Sequence, residues 1–203
     1  MGLNDISIKK WFIDKGDQTL MLDHNLDNNS VVVDIGAYTG EWISIMSKKY
    51  KCNYYALEPV KKFYDIIEEK FKNNPKIRCL MNGMSSKNEI KLINISADGS
   101  SVFGNSNEKQ SINLLDIETF MKLNNLEKID LLQMNVEGME YEILKSWIEN
   151  SNILSKINKI LIQFHEVDDL DVIKEREYIQ TSLLENKFKK CFDYFFVWEC
   201  WEQ

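Results

Sequence analysis

Apolar and polar positions change rhythm near residue 30. Residues 1–29 are polar and mixed, with Ile8, Trp11, Phe12 and Leu20 as the packing points of a helical or irregular N-terminal cover. Val31-Val32-Val33 is then a short β-branched run, the pattern of a strand buried on both faces. It ends in Asp34-Ile35-Gly36, and a helical pattern follows over residues 41–50. Residues 54–57 read as a second strand closed by Glu58-Pro59. Residues 60–72 read as a helix with Phe63, Ile66, Ile67 and Phe71 on one face. A third strand is expected at 77–81. Weak alternation over 89–104, with turn residues at Asp98-Gly99 and Gly104-Asn105, predicts a hairpin. A short helix at 116–123, a strand at 129–134 and a helix at 139–149 come next. A strand at 160–164 and a helix at 171–186 follow, and the aromatic-rich 188–201 predicts two closing strands.

Strands alternating with helices predict βαβ units, hence an α/β fold with a doubly wound, mostly parallel sheet. The closing strands predict an antiparallel pair at its end. Neither an internal repeat nor a Pro/Gly/Ser-rich linker divides the chain, so one domain over 30–203 is expected behind the 1–29 cover. In such a sheet ligands bind beyond the carboxyl ends of the strands, where the strand order reverses.

Composition narrows the function classes. The 203 residues are 44% hydrophobic and 28% charged, an ordinary globular balance. Lys and Arg number 25 against 32 Asp and Glu, a net charge of −7, which argues against gripping nucleic acid through its phosphates. The four cysteines, Cys52, Cys79, Cys191 and Cys200, form no CxxC spacing, and reduced thiols are expected. MGLNDISIKKWF lacks the apolar stretch of a signal peptide, and Ile6 stands where myristoylation wants Ser or Thr. Apolar runs fall far short of the ~20 residues of a membrane span. A cytoplasmic protein is expected, with a homodimer left open.

The chemistry sits after the strands. Asp34-Ile35-Gly36-Ala37-Tyr38-Thr39-Gly40 is a loop whose glycines permit a sharp turn and close approach to a ligand. A tight turn without a ligand is the alternative. Glu58 lies 18 residues beyond Gly40, at the next strand end, where a carboxylate can accept from both ribose hydroxyls. Together they imply an adenosine-type ligand. Tyr38 occupies the second glycine position of a dinucleotide fingerprint and counts against a nicotinamide-dependent oxidoreductase. Of two histidines, His24 lies in the cover, and His165 follows the fifth strand with Glu166 beside it. His165 is a candidate general base, metal ligand or strand-end cap. Tyr194, Phe195, Phe196, Trp198 and Trp201 read as core or dimer packing, with an acceptor pocket as the alternative. Lys174-Glu175-Arg176-Glu177 reads as a solvated helix face.

VVVDIGAYTGEW, YALEP, NGMSS, DGSS, IDLLQMNVEGMEYEILKS and ILIQFHE, in that order, resemble the FkbM-like family of S-adenosylmethionine-dependent methyltransferases. The resemblance covers roughly residues 30–167, and its most specific part is the VEGxE segment. It implies a Rossmann-like class I methyltransferase sheet and S-adenosyl-L-methionine as cofactor. It implies that Asp34, Gly36, Tyr38 and Gly40 wrap the amino-acid end of the cofactor and that Glu58 holds its ribose. Gly83, Met84 and Ser85 would flank the adenine, Asn135 and Glu137 would floor the transfer site, and Ser100 and Ser101 match a loop on the substrate side. The implied activity is O-methylation, of a sugar hydroxyl in polysaccharide or glycan biosynthesis. The family usually has Lys-x-Asp before VEG, and here Gln133 and Asn135 stand instead. That departure weakens any metal role carried over to Asn135 and leaves a divalent metal open. It also keeps a non-catalytic binding subunit as an alternative.

Overall fold

Burial on both faces decides which segments become central strands. The computed structural model describes residues 4–94, 109–168 and 170–203. Along the chain run α1 (Asp5–Ile13), a 3-10 turn (Gly16–Gln18), β1 (Val31–Ile35), α2 (Glu41–Lys49), β2 (Asn53–Leu57) and α3 (Lys61–Phe71). Then come β3 (Ile77–Leu80), β4 (Gly83–Met84), β5 (Glu89–Asn94), β6 (Lys109–Leu115) and α4 (Ile117–Leu123). The last are β7 (Leu131–Met134), α5 (Glu140–Glu149), α6 (Ser151–Leu154), β8 (Lys159–Ile162), α7 (Val172–Glu185), β9 (Lys189–Tyr194) and β10 (Trp198–Glu202).

The main sheet has seven strands in the order β3-β2-β1-β7-β8-β10-β9. The strands from β3 to β8 run parallel, and β10 lies antiparallel between β8 and β9. The α/β expectation therefore holds, including the antiparallel closing pair. Odd and even positions of the strands feed separate cores, as the pleat requires. Val33, Ile35, Leu57, Leu132 and Met134 face Phe120, Ile143 and Trp147. Val32, Tyr54, Ala56, Leu131 and Leu161 face Ile43, Met46 and Ile67. The order reverses between β1 and its neighbours β2 and β7, which puts the switch point at the carboxyl end of β1.

A smaller sheet, ordered β4-β6-β5, lies beside this edge. β5 pairs antiparallel with β6, from Glu89 opposite Leu114 to Asn94 opposite Lys109. The predicted hairpin thus closes on a later strand than expected, and the turn residues Asp98-Gly99 and Gly104-Asn105 lie outside the described residues. Ile93, Ile112 and Leu114 pack on Val60 and Phe63, and so fasten the small sheet to α3.

Several side-chain expectations are corrected. Phe12 is 69% exposed, because its neighbour Trp11 takes the buried face of α1 against Tyr194, with ring centroids 5.0 Å apart. Residues one apart on a helix cannot share a face. Ile66 is 40% exposed, since Phe63, Ile67 and Phe71 at four-residue spacing complete the buried stripe of α3. Arg176 is not on a solvated face. It is buried, with Nε donating to Glu199 and Nη2 donating to Asp193 at 2.5 Å. Its guanidinium also lies 4.8 Å from the Phe195 ring centroid. Tyr194, Phe196 and Trp201 are buried in the cores. Among the described residues, no helix is long and apolar enough to cross a membrane.

Breaking a buried ion pair from one side leaves an uncompensated charge. Arg176→Ala is therefore expected to cost about 3–5 kcal/mol in a urea titration. A loss under about 1 kcal/mol would show that Gln180 and Trp201, which also donate to Glu199, suffice to hold it.

Candidate functional site at the switch point

The loop after β1 is shaped by its backbone. Gly36, Tyr38 and Gly40 take φ values of +86°, +49° and +74°, in the left-handed region. Gly36 and Ala37 both donate their N–H to Leu57 O at 3.0 Å. A Cβ on Gly36 would stand 2.0 Å from Asn135 O, so only glycine lets the ends of β1 and β7 come this close.

The same turn aims Tyr38 N at Glu58 Oε2, 2.8 Å away, and Val60 N donates to Oε1 at 2.8 Å. Each Glu58 oxygen keeps accepting capacity beyond these bonds. Burial pushes the Glu58 carboxyl up to about 7, against the pull of the two N–H donors. Asp34 is buried just below, where Gln133 Nε2 donates to its Oδ1 at 3.2 Å. Burial first, and then the charge of Glu58, push Asp34 to about 8. Gln133 Oε1 and Asn135 Oδ1 are buried with no hydrogen-bond partner among the described residues.

Beyond β7 the chain turns sharply at Glu137 and Gly138, with φ of +52° and +102°. Glu140, the first residue of α5, is fully buried and braces this turn. Its Oε2 accepts from Gly138 N at 2.9 Å, and its Oε1 accepts from His165 N at 2.7 Å. His165 Nδ1 lies 3.2 Å from the same Oε1, and Nε2 lies 3.7 Å from Glu137 Oε1. Tyr141 Oη donates to His165 O at 2.7 Å. Burial pushes the His165 imidazole down, but the Glu140 and Glu137 carboxylates outweigh it and hold it above its usual range.

These loops enclose a cavity. Gly36, Tyr38, Glu58, Gly83, Met84, Asn135 and Glu137 all line it. Four other residues singled out from the sequence do not. Asp34 lies beneath the floor on Gln133. Gly40 caps α2 against Phe71. Ser85 is fully buried, with Oγ donating to Glu89 at 3.0 Å. His165 stands behind Glu137. Ser100 and Ser101 lie outside the described residues. Neither the N-terminal cover nor the aromatic tail contributes a lining residue among those described.

Sequence reasoning missed two parts of the site. One is the apolar wall of Ile93, Ile112 and Leu114 from the small sheet, continued by Phe63 and Met139. The alternation of Ile112 and Leu114 in SINLL carries its signal. The other is Glu140, three positions after Glu137 within the VEGxE segment. Among the described residues, no group of three or more His, Cys, Asp or Glu side chains is arranged to hold a metal ion.

A family model described as the methyltransferase FkbM domain matches residues 34–180. The fold resembles that of an rRNA methylase from Streptococcus thermophilus, at 14% identity and a TM-score of 0.53, covering 94% of this chain and 95% of that one. It also resembles a putative rRNA-methylase from Clostridium thermocellum, at 8% identity and a TM-score of 0.55, covering 94% of each chain. A third likeness is to fibrillarin from Aeropyrum pernix in complex with natively bound S-adenosyl-L-methionine, at 12% identity and a TM-score of 0.52. It covers 93% of this chain and 74% of that one. At these identities the likeness is one of fold. No curated protein matches the chain by sequence.

The two raised carboxyls have a measurable consequence for the ligand-free protein. Folded, each holds its proton more tightly than unfolded, so its contribution to stability is full below about pH 4. It is lost as pH rises, through about 7 for Glu58 and about 8 for Asp34. Asp34→Asn is expected to flatten the fall in melting temperature between about pH 5 and pH 8. An unchanged slope would mean that the Asp34 carboxyl ionises as freely as in the unfolded chain.

The family model spans most of the sheet and every loop that lines the cavity, and the chain belongs to the FkbM methyltransferase domain family.

Proposed function

We propose that this methyltransferase transfers a methyl group to a hydroxyl oxygen, of a sugar in polysaccharide or glycan biosynthesis, with His165 as the base. The observation that carries the reading is the position of His165 Nε2, 3.7 Å from Glu137, whose own residue lines the cavity. The cofactor is S-adenosylmethionine, and the residues present fit it. Asn135 brings a buried, unpartnered amide oxygen to the cavity wall, and Gly36, whose missing Cβ lets β1 close on β7, lines the cavity beside it. Bound there, the cofactor supplies a methyl group on a positively charged sulfur and departs as the neutral thioether.

The chain's own residues do the rest. In this reading Glu58 accepts the ribose hydroxyls with the capacity left beyond its bonds to Tyr38 and Val60. Gly36 and Tyr38 meet the amino-acid end, while Asp34 and Gly40 shape that loop from beneath and behind. Gly83 and Met84 flank the adenine, and Ser85 secures their segment through Glu89. Asn135 and Glu137 orient the reacting groups. The acceptor's hydroxyl proton passes to His165 Nε2 by way of Glu137, which lines the cavity where His165 does not, as the oxygen takes the methyl, since a hydroxyl is a poor nucleophile until that proton leaves. The apolar wall excludes water from the transfer. The sugar as acceptor rests on the family resemblance, and a cytoplasmic place of action rests on four cysteines without a CxxC spacing, read as reduced thiols. The net charge of −7 supports an acceptor other than nucleic acid.

Calorimetry with S-adenosylhomocysteine and NAD tests the cofactor. Binding of the former is expected, and binding of NAD alone would overturn the reading. Glu58→Ala is expected to weaken S-adenosylhomocysteine by roughly 10–100-fold, the loss of charge-assisted hydrogen bonds. Full affinity would remove Glu58 from the ribose site.

A panel of nucleotide-linked and lipid-linked sugars, read by mass, tests the acceptor. Transfer to at least one is expected, and transfer to none by a protein that binds S-adenosylhomocysteine would exclude these sugars. His165→Ala should then lower kcat by about 10²–10⁴-fold while affinity for S-adenosylhomocysteine stays. Unchanged kcat would take His165 out of the mechanism.

A further inference from the structure

We infer that Glu140 is the positioning residue of the transfer site: its buried carboxylate fixes the His165 ring in the tautomer that leaves Nε2 unprotonated toward Glu137. This rests on the proposed role of His165 as base and adds the group that makes the role possible.

The geometry leaves the ring little choice. One Glu140 oxygen accepts the His165 backbone N–H at 2.7 Å and faces Nδ1 of the same residue at 3.2 Å. A carboxylate oxygen only accepts, so the neutral ring keeps its proton on Nδ1. With the proton on Nε2 instead, two acceptors would face each other at 3.2 Å, whereas Nε2 and Glu137 Oε1 stand 3.7 Å apart, beyond hydrogen-bond reach. The backbone on both sides of the ring is held as well, because Tyr141 Oη donates to the His165 carbonyl at 2.7 Å. With the main chain so fixed, the ring cannot flip without losing the Nδ1 contact with Glu140, the first residue of α5.

The second Glu140 oxygen acts on the partner loop. It accepts from Gly138 N at 2.9 Å, next to Glu137, whose φ of +52° is a conformation that needs support. One carboxylate thus ties the loop after β7 to the loop after β8 and sets Glu137 against Nε2. The charged and titratable groups facing the ring are Glu140 at Nδ1 and Glu137 at Nε2, with the Tyr141 hydroxyl at the main chain. Both carboxylates favour the imidazolium that forms when the acceptor's proton arrives. A buried acid that only braced the fold would require neither the approach of Nδ1 nor its sharing of one oxygen with the backbone N–H.

Nitrogen-15 NMR of the full-length protein tests this directly. The chain has two histidines, and the signals lost in His165→Ala identify the ring. The wild-type neutral ring is expected to carry its proton on Nδ1, and a ring protonated mainly on Nε2 would overturn the proposal. In Glu140→Gln the titration of His165 is expected to move down by about one pH unit and the tautomers to mix. The basic rise of kcat should move with it, on whichever sugar accepts the methyl, while S-adenosylhomocysteine affinity stays within about twofold. A variant whose tautomer and titration match wild type would reduce Glu140 to a structural brace. The wild-type tautomer decides the point even if Glu140→Gln does not fold. Full turnover by His165→Ala alongside an Nδ1-protonated ring would instead defeat the base role and leave the positioning intact.

Discussion

The site depends on the near contact between the carboxyl ends of β1 and β7, where Gly36 passes so close to Asn135 O that no side chain fits between. Two parallel strands reach this approach because Asn135 N continues their ladder by donating to Ile35 O at 3.0 Å. The loop after β1 must then turn away at once, and its three positive φ values are the result. That turn carries Tyr38 N to the Glu58 carboxylate and opens the cavity between the diverging loops. A bulkier residue at position 36 would push β1 from β7 and lose the floor and the wall together.

Electrostatics gives this floor its second character. Asp34 and Glu58 are both pushed up by burial, Asp34 further by the charge of Glu58, and the residue bonded to Asp34 is the neutral amide of Gln133. An amide can donate a hydrogen bond but cannot offset a charge. The nearby orphaned oxygens of Gln133 and Asn135 add accepting capacity to the same region. Of these residues Glu58 and Asn135 line the cavity and with Glu137 make one part of it rich in acceptors, whereas Ile93, Ile112 and Leu114 make another part apolar. That contrast suits a ligand with hydroxyl and amino groups at one end and a flat, apolar ring at the other.

Glu140 illustrates why the second half of the site was hard to foresee. In the sequence it closes the VEGxE segment, but nothing local shows that it, unlike Glu142, is buried or what it binds. In the fold Glu140 is fully buried and receives N–H groups from two loops, while the side chain of Glu142 is 45% exposed. The same holds for Arg176, read as part of a solvated charge cluster and found buried between Glu199 and Asp193. Charged residues are assigned to the surface by default because burying them alone is costly. Among their partners here, Asp193, Glu199 and His165 lie 17, 23 and 25 positions away, beyond the reach of any local pattern.

What the amino-acid sequence determined by itself was the sheet and the addresses of its loops. Apolar runs such as 31–33 and 160–162 need burial on both faces, and together with the helices that alternate with them they select a doubly wound sheet. Glycine at 36 and an acid at 58 are legible because their roles belong to the residue itself, freedom at positive φ and a carboxylate at a strand end. The tertiary structure decided which of these residues meet. It set Asp34, Gly40, Ser85 and His165 back from the cavity and brought the apolar side of β6 into it. It also coupled His165 to Glu140. Those outcomes depend on distances between segments far apart in the chain, and only the packing of the two sheets and their helices sets such distances.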